Sequence, residues 1–447
     1  MEFALMLPQF GNVAMAVLAF VVALSVIVAV HEYGHYIVGR WCGIKADVFS
    51  LGFGPVLFAR DDKHGTKWQI AALPLGGYVK FRGDGDAASA TESDEIREMT
   101  PEERRETMAG APLWARAATV VAGPVFNFIL SIAIFGAVMM SQGKVAEPLA
   151  VGEIHPLPQA GFGLQTGDEL LGIAGQDVPD TGEPGAFGDF VDALPVAPVL
   201  DYRVRRDGRE ITVDGPYPQP TRIMQLAPQS AAFESGLKPG DVIVGIEGKD
   251  IIAFEQLKQV VESSNGRPLA LEVWRDGEVL PFELAPRRVD EPKPEGGFRT
   301  EWRIGIAGGM AFDFATAPMG PGEALWGGIA QTWGVMANSV SGLYHMVIGA
   351  ISTCNMSGPI GIAEVSGAMA SQGASSFIWF IAVLSAAIGF LNLFPIPVLD
   401  GGHLVFYAFE AVAGKPPSDA ALRILMAIGL ALILSLMSFA LITDILC

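Results

Sequence analysis

Little in this chain supports a disulfide framework or a cysteine-based metal knot. It has 3 cysteines in 447 residues. They are Cys42, Cys354 and Cys447, scattered and without a C-x-x-C pair, and they read as buried or interfacial thiols. Positive charge is also scarce: 29 Lys and Arg against 48 Asp and Glu leave a formal charge of −19. No basic stripe exists to neutralise phosphates, which excludes nucleic acid as a partner. Only 17% of residues are charged and 51% are hydrophobic, too apolar for an ordinary soluble enzyme. That balance suits a chain that crosses lipid several times and carries a sizeable soluble part. Before the first apolar run there is Glu2 but no Lys or Arg, which argues against a cleaved signal peptide.

Histidine is scarce too, with 6 in the chain, yet two of them stand in Ala29-Val30-His31-Glu32-Tyr33-Gly34-His35. Histidines four apart on a helix share one face, one turn from each other. Both imidazoles can then reach one zinc ion, while Glu32 can hold and deprotonate the metal-bound water. Residues 13–30 carry no charged side chain, so the motif closes a membrane-spanning helix, where ionisable residues are expensive.

Four spans are expected, at 13–37, 113–140, 376–399 and 422–443, each with about the 20 apolar residues a bilayer requires. Arg40 and Lys45 follow the first span, Arg104, Arg105 and Arg116 precede or open the second, and Lys415 and Arg423 flank the start of the last. The positive-inside rule then places 39–112 and 400–421 in the cytoplasm, with both termini and 141–321 outside. In that topology the H-E-x-x-H motif meets Asn392-Leu-Phe-Pro395-Ile-Pro397-Val-Leu-Asp400-Gly401-Gly402-His403 near the cytoplasmic side. A carboxylate there could be a third zinc ligand, leaving the fourth position for water. Segment 322–351 is apolar, but Gln331, Asn338 and His345 recur every seven residues, the polar stripe of an interfacial helix.

Other motifs surround these. Gly123-Pro124 inside the second span predicts a kink and a close neighbour, and Asn127 should face the protein interior. Asn127 can serve substrate, catalytic water or helix–helix bonding. Residues 46–81, with Gly76-Gly77-Tyr78, read as strands or a hairpin entering the membrane surface, and an open strand edge there would pair with extended substrate. The acidic stretch 83–100 reads as a loop. Thr100-Pro101-Glu102-Glu103 then has the order of a capping box. Outside the membrane, residues 163–178, which begin Gly163-Leu-Gln-Thr-Gly-Asp168, match residues 236–251, which begin Gly236-Leu-Lys-Pro-Gly-Asp241, in register. Each copy is followed by an Asp-Gly turn, at Gly208 and Gly277, a hairpin signal. The period suits two copies of a small α+β domain, with 286–303 as the linker out.

Together these motifs resemble the intramembrane zinc metalloproteases of the site-2 protease family, of the bacterial RseP (regulator of sigma-E protease) type. The resemblance covers nearly the whole chain. It is carried by His31-Glu32-x-x-His35, Asn392-x-x-Pro395-x-Pro397-x-x-Asp400-Gly401, Gly123-Pro124-x-x-Asn127, Gly76-Gly77-Tyr78-Val79-Lys80 and the tandem repeat, whose Gly-Leu-x-x-Gly-Asp signature is similar to that of PDZ domains. It implies a polytopic α-helical membrane protein with four transmembrane helices, two inserted extracytoplasmic PDZ-like α+β domains and a cytoplasmic membrane-associated β-hairpin segment. The implied segments are 1–45 for the first transmembrane helix, 46–112 for the cytoplasmic β segment and short helix, and 113–142 for the second transmembrane helix. The PDZ-like domains would occupy 143–220 and 221–290, a linker and interfacial helix 291–375, and the third and fourth transmembrane helices 376–447.

By the same resemblance, His31, His35 and Asp400 bind Zn2+ and Glu32 is the general base. Asn392 steadies the substrate backbone or the developing oxyanion, with Asn127, Gly76, Gly77, Tyr78, Pro395 and Pro397 as further substrate-binding positions. The implied reaction is regulated intramembrane proteolysis of a single-span membrane protein, after another protease has trimmed its outer domain. An anti-sigma factor of the sigma-E envelope stress response is the implied substrate, with leftover signal peptides as a further class. The implied location is the bacterial inner membrane, with both termini and the PDZ-like pair periplasmic and that pair acting as a size filter. Two rival readings are a non-catalytic scaffold built on the repeat and a metal-carrying transporter. Against the first stands the complete His-Glu-His-Asp set; against the second, the absence of an inverted repeat among the spans.

Overall fold

The computed structural model describes residues 3–84, 99–179, 185–293 and 297–446. The chain divides into two compact units, one of Met1–Val138, Pro321–Ile348 and Thr353–Cys447, the other of Met139–Gly320 and Gly349–Ser352. Among the described residues, four helices are long and apolar enough to cross a membrane: Val13–Trp41, Leu113–Gln142, Ala374–Asn392 and Ala420–Leu446. Helix is what such runs must form in lipid, because each backbone group has to find its partner within the segment.

The first unit opens with α1 (Phe3–Trp41) and a long antiparallel hairpin, β1 (Ala46–Asp61) and β2 (Lys67–Phe81). Asp62, in the turn between the two strands, ties the hairpin to α1, accepting from the Tyr36 hydroxyl at 3.0 Å, Trp68 Nε1 at 3.3 Å and the backbone of His64 and Thr66 at 2.7 and 3.0 Å. Val56, Leu57, Phe58, Leu73 and Leu75 are exposed, as suits strands that enter lipid. The acidic stretch read as a loop lies mostly outside the described residues, at 85–98. Beyond it α2 (Pro101–Arg105) starts with the capping box expected of its sequence, Thr100 and Glu103 bonding each other's backbone N–H. α3 (Leu113–Gln142) runs on through Pro124.

The second unit contains the repeat. After β3 (Lys144–Val145) and β4 (Val151–Ile154), the first copy consists of β5 (Glu169–Ile173), β6 (Gln176–Asp177), α4 (Ala186–Asp192), β7 (Val199–Arg206) and β8 (Arg209–Pro216). The second has β9 (Ile223–Leu226), α5 (Ala231–Glu234), β10 (Val242–Ile246), β11 (Lys249–Asp250), α6 (Phe254–Ser263), β12 (Leu269–Arg275) and β13 (Glu278–Leu284). Their sheets have the same order, β6-β5-β7-β8 and β11-β10-β12-β13. Both Asp-Gly turns have positive φ at both residues, 50° and 77° at Asp207 and Gly208, 51° and 95° at Asp276 and Gly277, the pattern that suits a two-residue hairpin.

The recurrent aspartate has a partner in each copy. Arg206 grips Asp168 through Nε and Nη2, both at 2.7 Å, and Arg275 grips Asp241 through the same atoms, both at 2.6 Å. Burial alone would raise the Asp168 carboxyl, but the Arg206 fork holds it below its usual range. Stretch 286–303, expected to be a linker, is instead an antiparallel hairpin in its described residues, β14 (Arg287–Pro292) with β15 (Phe298–Arg303). After it β16 (Ile306–Gly308), β17 (Phe312–Phe314) and β18 (Thr316–Ala317) return to pair with β9, β4 and β3. Charged, Pro-containing sequence reads as linker because its pairing partners are distant along the chain.

The first unit resumes with α7 (Pro321–Val347), whose Ala324, Gly328 and Thr332 form a buried stripe against α3. Thr332 and Ser131 hydroxyls meet there at 3.1 Å. α8 (Pro359–Ser371) is too short to span and lies with Gly367 against Ala16 of α1. α9 (Ala374–Asn392) ends seven residues before the expected limit, since the chain cannot stay helical through Pro395 and Pro397. It restarts as α10 (Asp400–Ala413) and finishes in α11 (Asp419–Leu446). The Asp444 carboxylate of α11 caps α8 by accepting from the backbone N–H of Gly358, Ile360 and Gly361 at 2.7, 3.1 and 3.1 Å. Cys42 is a free thiol, but Cys354 is disulfide-bonded, against its reading as an unpaired thiol.

Candidate active site

His31 and His35 lie one turn apart on α1 and project toward α3, with Nε2 atoms 3.1 Å from each other. The Asp400 carboxylate, on the first residue of α10, completes the group. Its Oδ2 is 3.1 Å from His31 Nε2 and its Oδ1 is 3.5 Å from His35 Nε2. The three ligand atoms lie within 4.8 Å of one another. A tetrahedral zinc with bonds of about 2.0 Å has ligand–ligand edges of about 3.3 Å, in the middle of these spacings.

The hydrogen-bond arrangement also fits a cation. His35 Nδ1 donates to the Thr119 carbonyl at 2.9 Å, which leaves its Nε2 with a lone pair aimed at His31 and Asp400. Asp400 Oδ2 is buried and receives no hydrogen bond of good geometry from the described residues. With both imidazoles neutral and their Nε2 lone pairs toward Asp400, the three groups form a donor set that a divalent cation satisfies.

α3 supports both rings. His31 Nδ1 is 3.2 Å from the Asn127 amide, while Asn127 Oδ1 is buried and otherwise unpartnered. A carboxamide can present either end. With Oδ1 toward His31, Asn127 accepts the Nδ1 hydrogen and leaves Nε2 free for metal, the usual arrangement of a ligating histidine. Asn127→Asp, which keeps that acceptor, is expected to retain zinc, while Asn127→Leu is expected to weaken zinc binding by about 10–100-fold. Competition with a chelator measures both. The reverse order would show that Asn127 donates to His31 instead.

Gly123 lies beneath the two rings. A Cβ there would stand 2.3 Å from His35 Nε2 and 2.8 Å from His31 Cε1. The close neighbour expected of Gly123-Pro124 is therefore the H-E-x-x-H motif itself. Gly389 of α9 gives clearance to Asn127 and Pro124, and Ser385 donates to the Asn127 carbonyl at 2.9 Å.

The site opens into a cavity of about 370 Å³. Glu32, Gly77, Tyr78 and Asn392 line it, together with His403 and Tyr407. Gly77 sits against Glu32, its would-be Cβ 3.2 Å from Glu32 Cγ. The hairpin thus reaches Glu32 through its backbone at Gly77. Gly76 is covered by the Phe53 ring. Pro395 is exposed and Pro397 wedges between Gly402 and Gly429, so neither is among the residues lining the cavity. Sequence reasoning missed Thr119, whose contribution is a carbonyl that any residue carries, and left the roles of Gly123 and Asn127 open.

Known proteins place this geometry in context. The model of peptidase family M50 matches residues 19–436. A protein of Rhizobium meliloti named as a zinc metalloprotease is 37% identical over 97% of this chain and 97% of its own. A Brucella suis protein named likewise is 34% identical over 96% of this chain and 94% of its own. The regulator of sigma-E protease RseP of Salmonella typhimurium is 33% identical over 95% of this chain and 97% of its own. The chain belongs to peptidase family M50, the site-2 proteases, and is a zinc metalloprotease of the membrane.

Proposed function

We propose that His31, His35 and Asp400 hold the zinc and that the chain cuts single-span membrane proteins within or beside the bilayer. The observation that carries this is a charge-free helix that ends by bringing Glu32 and three ligand atoms together beside α3. Zinc in that position supplies Lewis-acid polarisation of the scissile carbonyl and acidifies water. Glu32 takes up a proton there and passes it to the leaving amine. Asn392, at the end of α9, offers its amide to the substrate backbone or the oxygen that gains charge. A helical substrate hides its carbonyls in its own hydrogen bonds, so it must unwind before the cut. At its Gly77–Phe81 end β2 is paired with β1 on one side only among the described residues, and it lines the cavity there at Gly77, Tyr78 and Val79. An unwound segment can add to that edge as a third strand.

In this proposal 39–112 and 400–421 face the cytoplasm, and both termini and the repeat face the periplasm of an inner membrane. Supporting it, α7 is not one of the four helices that, among the described residues, are long and apolar enough to cross a membrane. Disulfide-bonded Cys354 suits an oxidising side. The two repeat copies are PDZ-like domains that act as a size filter. By analogy with the RseP relative, the substrate is an anti-sigma factor of the sigma-E type, trimmed first by another protease.

The test uses the purified chain in liposomes with a single-span substrate, with and without its outer domain. Trimmed substrate should be cut, cutting should stop when zinc is chelated, and it should return when zinc is restored. Cutting that survives zinc removal, or no cutting across a panel of trimmed substrates, would move the scaffold or transporter readings ahead. Equal cutting of both substrate forms would remove the size filter alone.

A further inference from the structure

The face of α3 that supports the histidines carries one more polar group. Arg116, Thr119, Gly123 and Asn127 are spaced i, i+3, i+7 and i+11, one stripe along the helix. Thr119 holds His35, Asn127 holds His31, and Gly123 clears space for both. Arg116, the first of the stripe, reaches α10. Its Nη1 and Nη2 meet Glu410 Oε2 and Oε1 at 3.1 and 2.5 Å, a bidentate fork between side chains only 15% and 18% exposed. The guanidinium also lies 5.2 Å from the centre of the Tyr407 ring.

Asp400, His403, Tyr407 and Glu410 are spaced i, i+3, i+7 and i+10 on α10, so the ligand and the fork share a face. They are separated by about 15 Å of helix. At its other end α10 packs Gly401 and Gly402 against 393–397 of the turn that precedes it. That contact fixes Asp400 relative to α9 but leaves the roll of α10 against α3 open. A buried ion pair is often no more stabilising than apolar residues of the same size. What the guanidinium fork adds is direction.

We propose that Arg116 and Glu410 form a positioning clamp for the metal centre, setting α10 against α3 so that Asp400 arrives at the two histidines. All three ligands are then referenced to one face of α3. This rests on His31, His35 and Asp400 being the zinc ligands. Neither residue of the clamp touches substrate or metal.

The experiment uses the full chain purified in detergent. It measures zinc affinity by chelator competition, the visible spectrum with Co2+ in place of zinc, and unfolding of the metal-free protein. The double variant Arg116→Met, Glu410→Met removes the fork without leaving a lone buried charge. It is expected to unfold like wild type, bind zinc about 10–100-fold more weakly and show an altered Co2+ spectrum. The exchange Arg116→Glu with Glu410→Arg should recover much of the affinity. Arg116→Lys keeps the charge and loses the fork, so it should also bind zinc more weakly; it serves if the double variant does not fold. Wild-type affinity and spectrum in either the double variant or Arg116→Lys overturn the clamp. His35→Ala separates the two ideas: if it binds zinc as wild type does, the ligand assignment itself fails.

Discussion

Glu32→Gln is expected to leave zinc bound and to lower cleavage of a single-span substrate by about 10²–10⁴-fold, the usual contribution of general acid–base catalysis. The glutamate is not among the three ligand groups that converge, so removing its charge leaves the metal donors intact. Glutamine has nearly the same shape, so the hairpin should remain against α1 at Gly77. What glutamine lacks is a group that can take up and return a proton. Zinc content and cleavage, measured on one preparation of each protein, check both halves. A zinc-loaded Glu32→Gln protein that cuts at the wild-type rate would mean that another residue is the base. His403 and Tyr407, which line the same cavity, would then be the next to test.

The parts legible in the sequence are those in which residue type and spacing state the physics directly. A charge-free run of 18 residues must be a helix in lipid, and α1 is one. Two histidines around a glutamate at helical spacing must share a face, and their Nε2 atoms do meet. The repeat announced its turns through Asp-Gly, and the positive φ angles at Asp207 and Asp276 agree. Asp168 and Asp241 recurred in register, yet their arginine partners 38 and 34 residues away became evident only in the fold. Long-range pairing explains the errors as well. Strands β16, β17 and β18 find partners far back in the chain, at β9, β4 and β3, and short strands of this kind have no local signature. The Thr119 carbonyl has none either. The Gly123-Pro124 pair announced a close neighbour but not which one.

Gly123 is where local preference and site geometry conflict most, and Gly123→Ala is expected to abolish zinc binding at stoichiometric metal together with activity. Judged by propensity alone the change is favourable, since alanine in a helix interior is better than glycine by about 1 kcal/mol. The added methyl, however, would lie 2.3 Å from His35 Nε2, one of the three converging donor atoms, and 2.6 Å from Cε1. The ring cannot yield cheaply. Its Nδ1 is bonded to the Thr119 carbonyl of α3, and the two helices already touch closely, the would-be Cβ of Gly34 lying 2.6 Å from the Ala122 carbonyl, so no slack between them can take up the methyl. Relief must come from rotating His35 out of the cluster or from parting α1 from α3, and either move breaks the ligand set. Metal-free Gly123→Ala protein should still fold cooperatively while failing to take up zinc even in excess metal, so that the loss of metal binding is out of proportion to any loss of thermal stability. Wild-type zinc affinity in this variant would show that the histidines reach the metal by a route that does not pass over Gly123.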